Sequence, residues 1–160
     1  MKKQTINLRK LVKLKILQIV EPSENLKNSY LQKSDDSLKS AKILSTNGQY
    51  ADAIALSYFS MYYSVLALFY LIGVKSENHN ASIFLLKRIF DIDNEVIKKA
   101  KFERKDKQYY PNFAVSEKEV LDALISAEDF NAEILNFITG LTFKDRDSYF
   151  KKAKDFLEIY

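Results

Sequence analysis

The chain has 160 residues, with 25 lysines and arginines against 21 aspartates and glutamates, a formal charge of +4. Three glycines and two prolines are too few for the turns of an all-β fold and point to long helices joined by few loops. With no cysteine and one histidine, the sequence excludes disulfides, a thiol nucleophile and a cysteine or multi-histidine metal centre, and no motif implies a cofactor.

The length suits one domain with its own core. The absence of cysteine is compatible with a reducing compartment, and the expected location is the cytoplasm. Charge is unevenly spread. Residues 1–20 hold six bases and no acid, residues 98–107 six bases and two acids, and residues 116–138 one lysine and six acids. Two basic surfaces suited to an anionic partner are one reading of this pattern, and three solvated faces are the other.

In chain order, residues 1–22 read as a basic arm or helix. Lysines interrupt Leu8, Leu11, Val12, Leu14, Ile16, Leu17, Ile19 and Val20, so no continuous apolar stretch forms a signal peptide. Pro22 breaks this segment and Ser23 is a candidate N-cap. A helix then runs to about Thr46, with Leu26, Tyr30, Leu31, Leu38, Ala41 and Leu44 as its inner face, and Asn47-Gly48 closes it.

Residues 53–74 carry no charge. A membrane span and a core helix buried on every side both fit that length. Ser57, Ser60 and Ser64 interrupt the apolar run, and Tyr62 and Tyr63 fall at its centre rather than at an interface. The core reading is therefore preferred, with a membrane-associated helical protein as the alternative. Ala53, Ser57, Ser60, Ser64 and Ala67 recur at spacings of four and three. They line one face with small side chains that a neighbouring helix can approach closely, in the same chain or across a dimer.

Gly73 ends this helix, and Lys75 to Asn80 reads as a loop. Ala81 to Phe90 resumes helix with Ile83, Phe84, Leu86 (or Lys87) and Phe90 inward. Asp91 to Lys107 reads as a short helix fraying into a loop around Pro111. Ser116-Glu117-Lys118-Glu119 is a capping box. Behind it Val120, Leu121, Leu124, Ala127, Ile134, Leu135 and Ile138 keep helical spacing up to Gly140. A last helix, about Lys144 to Ile159, is amphipathic through Phe150, Ala153, Phe156 and Leu157.

This order of motifs resembles the small stand-alone prokaryotic proteins of the HEPN-domain family. Their central helix has a Ser-Tyr-Tyr-Ala-Met-Phe-Tyr pattern followed by Gly, a base and His. The chain has Ser57-Tyr58-Phe59-Ser60-Met61-Tyr62-Tyr63, then Gly73, Lys75 and His79. Their downstream Arg, Tyr and Ser-x-Glu-Glu-Ala helix correspond to Arg104, Tyr109 or Tyr110, and Ser116-Glu117-Lys118-Glu119-Val120, with Ala127-Glu128-Asp129-Phe130 further along. The resemblance spans about residues 23–140. It implies an all-α, up-and-down antiparallel bundle of four to five core helices, usually dimeric. It also implies a nucleotidyltransferase partner in a two-protein module of the toxin–antitoxin kind. Some relatives are metal-independent ribonucleases with Arg, four to six residues, then His. The only histidine is His79, and no arginine stands between Arg9 and it, so that motif is absent.

The expected organisation is a basic segment over 1–22, the bundle over 23–140 and a C-terminal helix over 141–160 packed on the same domain. The expected function is a non-catalytic component that binds a nucleotide or RNA. A ribonuclease toxin using Arg104 and His79 is the competing enzyme. Lys75, Arg104 and Lys107 are the candidate phosphate ligands, Arg104 foremost because a guanidinium binds phosphate bidentately. The alternative for Arg104 is a surface charge. His79 is a proton-transfer group or a phosphate donor at a helix N-terminus in one reading, and a loop histidine that caps or packs in the other. Tyr58 and Tyr62, four residues apart, are expected to pack in the core with one satisfied hydroxyl each, the alternative being that they serve a ligand. Tyr109 and Tyr110 are candidates for stacking or modification. No metal site is expected, and no Gly-rich phosphate loop, Glu-x-x-His or nucleophile elbow occurs.

Overall fold

The structure is a computed structural model; it describes residues 6–109 and 114–160, the backbone alone for 107–109. Among these, seven helices and one two-stranded ribbon follow in the order α1 (Leu8–Lys13), β1 (Leu17–Ile19), α2 (Glu24–Thr46), α3 (Tyr50–Ile72), β2 (Val74–Ser76), α4 (His79–Phe90), α5 (Glu95–Tyr109), α6 (Glu117–Gly140) and α7 (Phe143–Leu157).

The core is built around α3. Sixteen of its 23 residues are buried, as expected for a charge-free helix surrounded by others. The helix is long and apolar enough to cross a membrane, and 78% of its most apolar window is buried inside the fold. Asn47 and Gly48 turn the chain from α2 into α3, Gly48 adopting φ +73°. The two helices run antiparallel. Tyr30 stacks on Tyr70 at 5.2 Å, the Ser34 hydroxyl donates to the Ser60 carbonyl at 2.7 Å, and Ala41 packs with Ala53 and Ile54.

The small-residue stripe is a seam within this chain. Ala53, Ser57, Ser60, Ser64 and Ala67 are all buried. Ser57 and Ser64 satisfy their hydroxyls on the carbonyls of Ala53 and Met61, inside their own helix. Ser60 accepts the Asn131 amide of α6 at 2.6 Å. Small side chains leave room for both α2 and α6 to approach, and each buried hydroxyl has a hydrogen-bond partner that offsets its loss of water.

Several expectations are corrected. Residues 1–22 are expected as an arm or helix, yet α1 is followed by β1, which pairs antiparallel with β2 (Leu17 opposite Ser76, Ile19 opposite Val74). Leu8 and Leu17 are buried in the main core. Part of the expected Lys75–Asn80 loop is thus strand, because the ribbon satisfies its backbone across a break in sequence that local pattern does not reveal. Leu26, Phe84, Leu121 and Leu135 are exposed rather than inward. Their helices turn other residues to α3, among them Leu85, Ile89, Phe130 and Ile134, all buried. The 91–107 segment is no frayed short helix: Asp91, in the left-handed region at φ 58°, ends α4, and α5 then runs from Glu95 to Tyr109. The last helix begins one residue before the expected start, with a Thr142/Asp145 capping box.

Gly73 ties the ribbon to the bundle. Its φ is +84°, and a Cβ there would lie 2.6 Å from the Val20 carbonyl oxygen and 3.0 Å from the Phe150 ring of α7. Val20 donates its N–H to the Gly73 carbonyl at 2.9 Å. Gly73→Ala should cost about 2 kcal/mol from the left-handed backbone and the backbone clash together, a fall of roughly 4–8 °C in melting temperature. Gly48→Ala, with nothing within 4 Å of the added Cβ, should cost about half as much, from backbone strain alone. Equal losses in a thermal melt would refute the assigned role of the Val20 contact.

Candidate functional site

Asn78 caps α4, its side chain accepting the Ala81 N–H at 3.0 Å. The cap makes His79 the first helical residue and aims its ring at α3. The His79 ring lies on Tyr62 at 3.8 Å between centroids, tilted by 10°. Its Nδ1 is 2.5 Å from the Tyr58 hydroxyl, and it meets Phe59 edge-on at 6.2 Å. Nε2 has no hydrogen-bond partner among the described residues. If Tyr58 donates to Nδ1, Nε2 carries the proton and offers an N–H. If Nδ1–H donates to the phenol oxygen, Nε2 is an acceptor and a base.

Arg104 comes from α5. Its guanidinium carbon lies 5.0 Å from the Tyr58 ring centroid and 5.1 Å from that of Phe59. The two aromatic faces hold the cation in place. Its Nε is buried without a hydrogen-bond partner. One turn earlier, the Lys101 ammonium donates to the Asn80 side-chain oxygen. Among the described residues no carboxylate pairs with Arg104 or Lys101. The electrostatics follow from that arrangement. Burial, then Arg104 and Lys101, push His79 down to about 4. Burial, then Lys105 and Arg104, lower Lys101. Burial raises the Tyr58 phenol despite Arg104. At neutral pH the site holds a neutral imidazole and a neutral phenol beneath cations that no carboxylate among the described residues pairs with, beside the N-terminus of a 12-residue helix. Such a place attracts an anion, and a planar guanidinium suits phosphate.

The structure brings together Arg104 and His79, 25 positions apart in sequence. It does not bring Lys75 to them. Lys75 sits on β2, paired with Glu77 at 2.7 Å and beside Tyr70. The side chains of Lys107 and Tyr109, and the whole of Tyr110, lie outside the described residues. Tyr58 and Tyr62 are buried, so neither offers its face to a ligand. Tyr58 instead orients His79, and Tyr62 has weak 3.5 Å contacts to the Ser76 carbonyl and the Ser82 hydroxyl. Lys101, Asn80 and Phe59 are site residues that sequence reasoning passed over. Lys101 and Arg104 are three apart on one helix, and that spacing was the available sign. A cleft of about 310 Å³, with Tyr58 in its lining, opens between α3, α5 and α6. Glu103, Glu119 and Asp122 line it together with Lys99, which pairs with Glu103, a mixed lining poorer in cations than the Arg104–Lys101 side. No group of three His, Asp or Glu side chains that would hold a metal occurs among the described residues.

The depressed His79 fixes a pH dependence. Between 6.5, the usual imidazole value, and about 4, the unfolded chain binds a proton that the folded chain does not. Stability therefore falls as pH drops through that window. Replacing His79 with Gln should flatten the fall, read as melting temperature against pH from 7 to 4. A His79→Gln profile that parallels the parent would show that the imidazole is not held neutral.

Comparison with known families matches residues 28–137 to the HEPN domain. No curated protein matches the chain. The family match covers α3, α4 and the Arg104–His79 cluster. It leaves out α1, the β1 strand and α7. With more than half of its length matched, the chain belongs to the HEPN-domain family.

Proposed function

We propose that this protein binds RNA or a nucleotide through the Arg104–His79 cluster and does not cleave it. The observation that carries the reading is the pair of cations, Arg104 and Lys101, that no carboxylate among the described residues pairs with, over a neutral His79. Phosphate oxygens would lie between the guanidinium and the N-terminus of α4, with His79 Nε2–H as a further donor. A nucleobase has half-buried aromatic surface beside them at Phe59 and Tyr63.

One observation favours a ribonuclease as the second reading: Arg104 and His79 meet on the same tyrosine. Metal-free cleavage of RNA needs a base for the 2′-hydroxyl and an acid for the leaving oxygen. A histidine at about 4 is unprotonated at pH 7 but a weak base, and it is almost never protonated there to serve as the acid. The buried Tyr58 phenol is a weak acid. The described residues supply neither a base nor an acid tuned to neutral pH, which is why binding is preferred.

Family membership is the support for a nucleotidyltransferase partner, a toxin–antitoxin type of module and a homodimer. The deep burial of α3 supports a cytoplasmic location over a membrane one. Co-expression with a nucleotidyltransferase followed by sedimentation tests the assembly, and a lone 18.6 kDa species in both samples would remove both partners.

Arg104→Ala should weaken binding of a short RNA by about 10- to 150-fold, the value of a charged hydrogen bond, measured by fluorescence anisotropy with the full chain. Incubation with excess protein and a chelator should leave the RNA intact. Cleavage that His79→Ala and Arg104→Ala both abolish would replace the binding reading with the ribonuclease.

A further inference from the structure

After its first turn α3 leaves only four residues less than fully buried: Leu56, Phe59, Tyr63 and Tyr70. Three of the four are aromatic. Phe59, Tyr63 and Tyr70 are spaced by four and seven, so they share one face of the helix. Tyr30 of α2 joins the line between Tyr63 and Tyr70. Successive ring centroids are 6.1 Å (Phe59 to Tyr63), 6.1 Å (Tyr63 to Tyr30) and 5.2 Å (Tyr30 to Tyr70). Their planes differ by 25°, 35° and 7°, so Phe59 stacks with Tyr63 and Tyr30 with Tyr70, and the step between the two pairs is tilted. All four are half-buried and keep part of their surface in solvent.

Cations accompany the rings along the whole line. Arg104 lies over Phe59 at 5.1 Å. The exposed Lys33 lies over Tyr63 at 4.6 Å. Lys75 stands beside Tyr70, its charge partly met by Glu77. Core packing alone explains rings that are buried, and α3 has those in Tyr58, Tyr62 and Phe69. It does not explain why the surface line of the helix is aromatic, nor why a cation stands at intervals along it.

We propose that Phe59, Tyr63, Tyr30 and Tyr70, with Lys33 and Lys75, form a stacking track for single-stranded RNA that starts at the Arg104–His79 cluster. The inference rests on the RNA-binding reading given above and extends it. Bases stack on the ring surface left in solvent, which is tolerant of sequence because every base has a π-face. Lys33 leaves the Tyr63 face to meet a phosphate, and Lys75 exchanges Glu77 for another. The track accommodates about four nucleotides, at the lower end of the range for stacking grooves. It also gives Lys75 a role that its distance from Arg104 otherwise denies it.

The test uses the full chain and labelled uridine oligonucleotides of one to eight residues, read by fluorescence anisotropy. Affinity should rise with length up to about four nucleotides and then level off. Tyr70→Ala and Lys33→Glu should each weaken the longer oligonucleotides about tenfold or more and leave uridine monophosphate unaffected, whereas Arg104→Ala weakens both. Tyr63→Phe keeps the ring and should keep the affinity. Lys33 is exposed, so its variant folds even if a tyrosine variant does not. Loss with Arg104→Ala alone, and no gain beyond one nucleotide, would overturn the track and leave the phosphate site standing. No effect of Arg104→Ala would remove the site itself. If Lys33→Glu and Tyr70→Ala change the sedimenting mass and not RNA affinity, the strip is a protein interface and the track is wrong.

Discussion

A helix with no charge over its last 20 residues has to be surrounded, and the rest of the molecule is arranged to do so. The α2 hairpin arm covers one side of α3. Helix α6 lies on the small-residue stripe, and α4, α5, α7 and the ribbon close the remainder. The stripe matters because backbones can approach only where side chains are short. Ser57 and Ser64 return their hydroxyls to their own helix, and Ser60 bonds to α2 through its carbonyl and to α6 through its side chain. A polar face thereby becomes a dry seam without unmet hydroxyls.

The candidate site is a consequence of the same packing. Tyr58 is buried because α3 is, and its hydroxyl then needs a partner. The partner is His79, delivered by the Asn78 cap at the start of α4. Arg104 covers the outer side of that pair from α5. Burial and the two cations hold the imidazole neutral, and no described carboxylate offsets the cations. An element that stabilises the core on one side thus presents an anion-attracting surface on the other. The cleft between α3, α5 and α6 also touches Tyr58, and its lining mixes Glu103, Glu119 and Asp122 with Lys99.

The β1 strand and α7 lie outside the family match and show how the ends of the chain are tied in. The β1 strand crosses near the C-terminal end of α3, where Gly73 alone leaves room for the Val20 carbonyl. Phe150 of α7 packs on the same glycine. A single left-handed residue therefore joins the N-terminal segment, the central helix and the C-terminal helix.

Much of this was legible in the residues themselves. The uncharged run, the paucity of glycine and proline, the Ser116 capping box and the Asn47-Gly48 turn are local features. Helix position, ends and all-α class follow from them, because periodicity and capping depend on neighbours a few residues away. His79 and Arg104 were recognisable one at a time, by residue type and by resemblance. Their meeting on Tyr58, the strand pairing of 17–19 with 74–76, and the exposure of Phe84 and Leu135 were not. Each depends on contacts between distant segments, decided by how the helices rotate to fill the space around α3. For the same reason the sequence placed Lys75 with Arg104 as a phosphate ligand, and only the packed structure put it at the far end of an aromatic line.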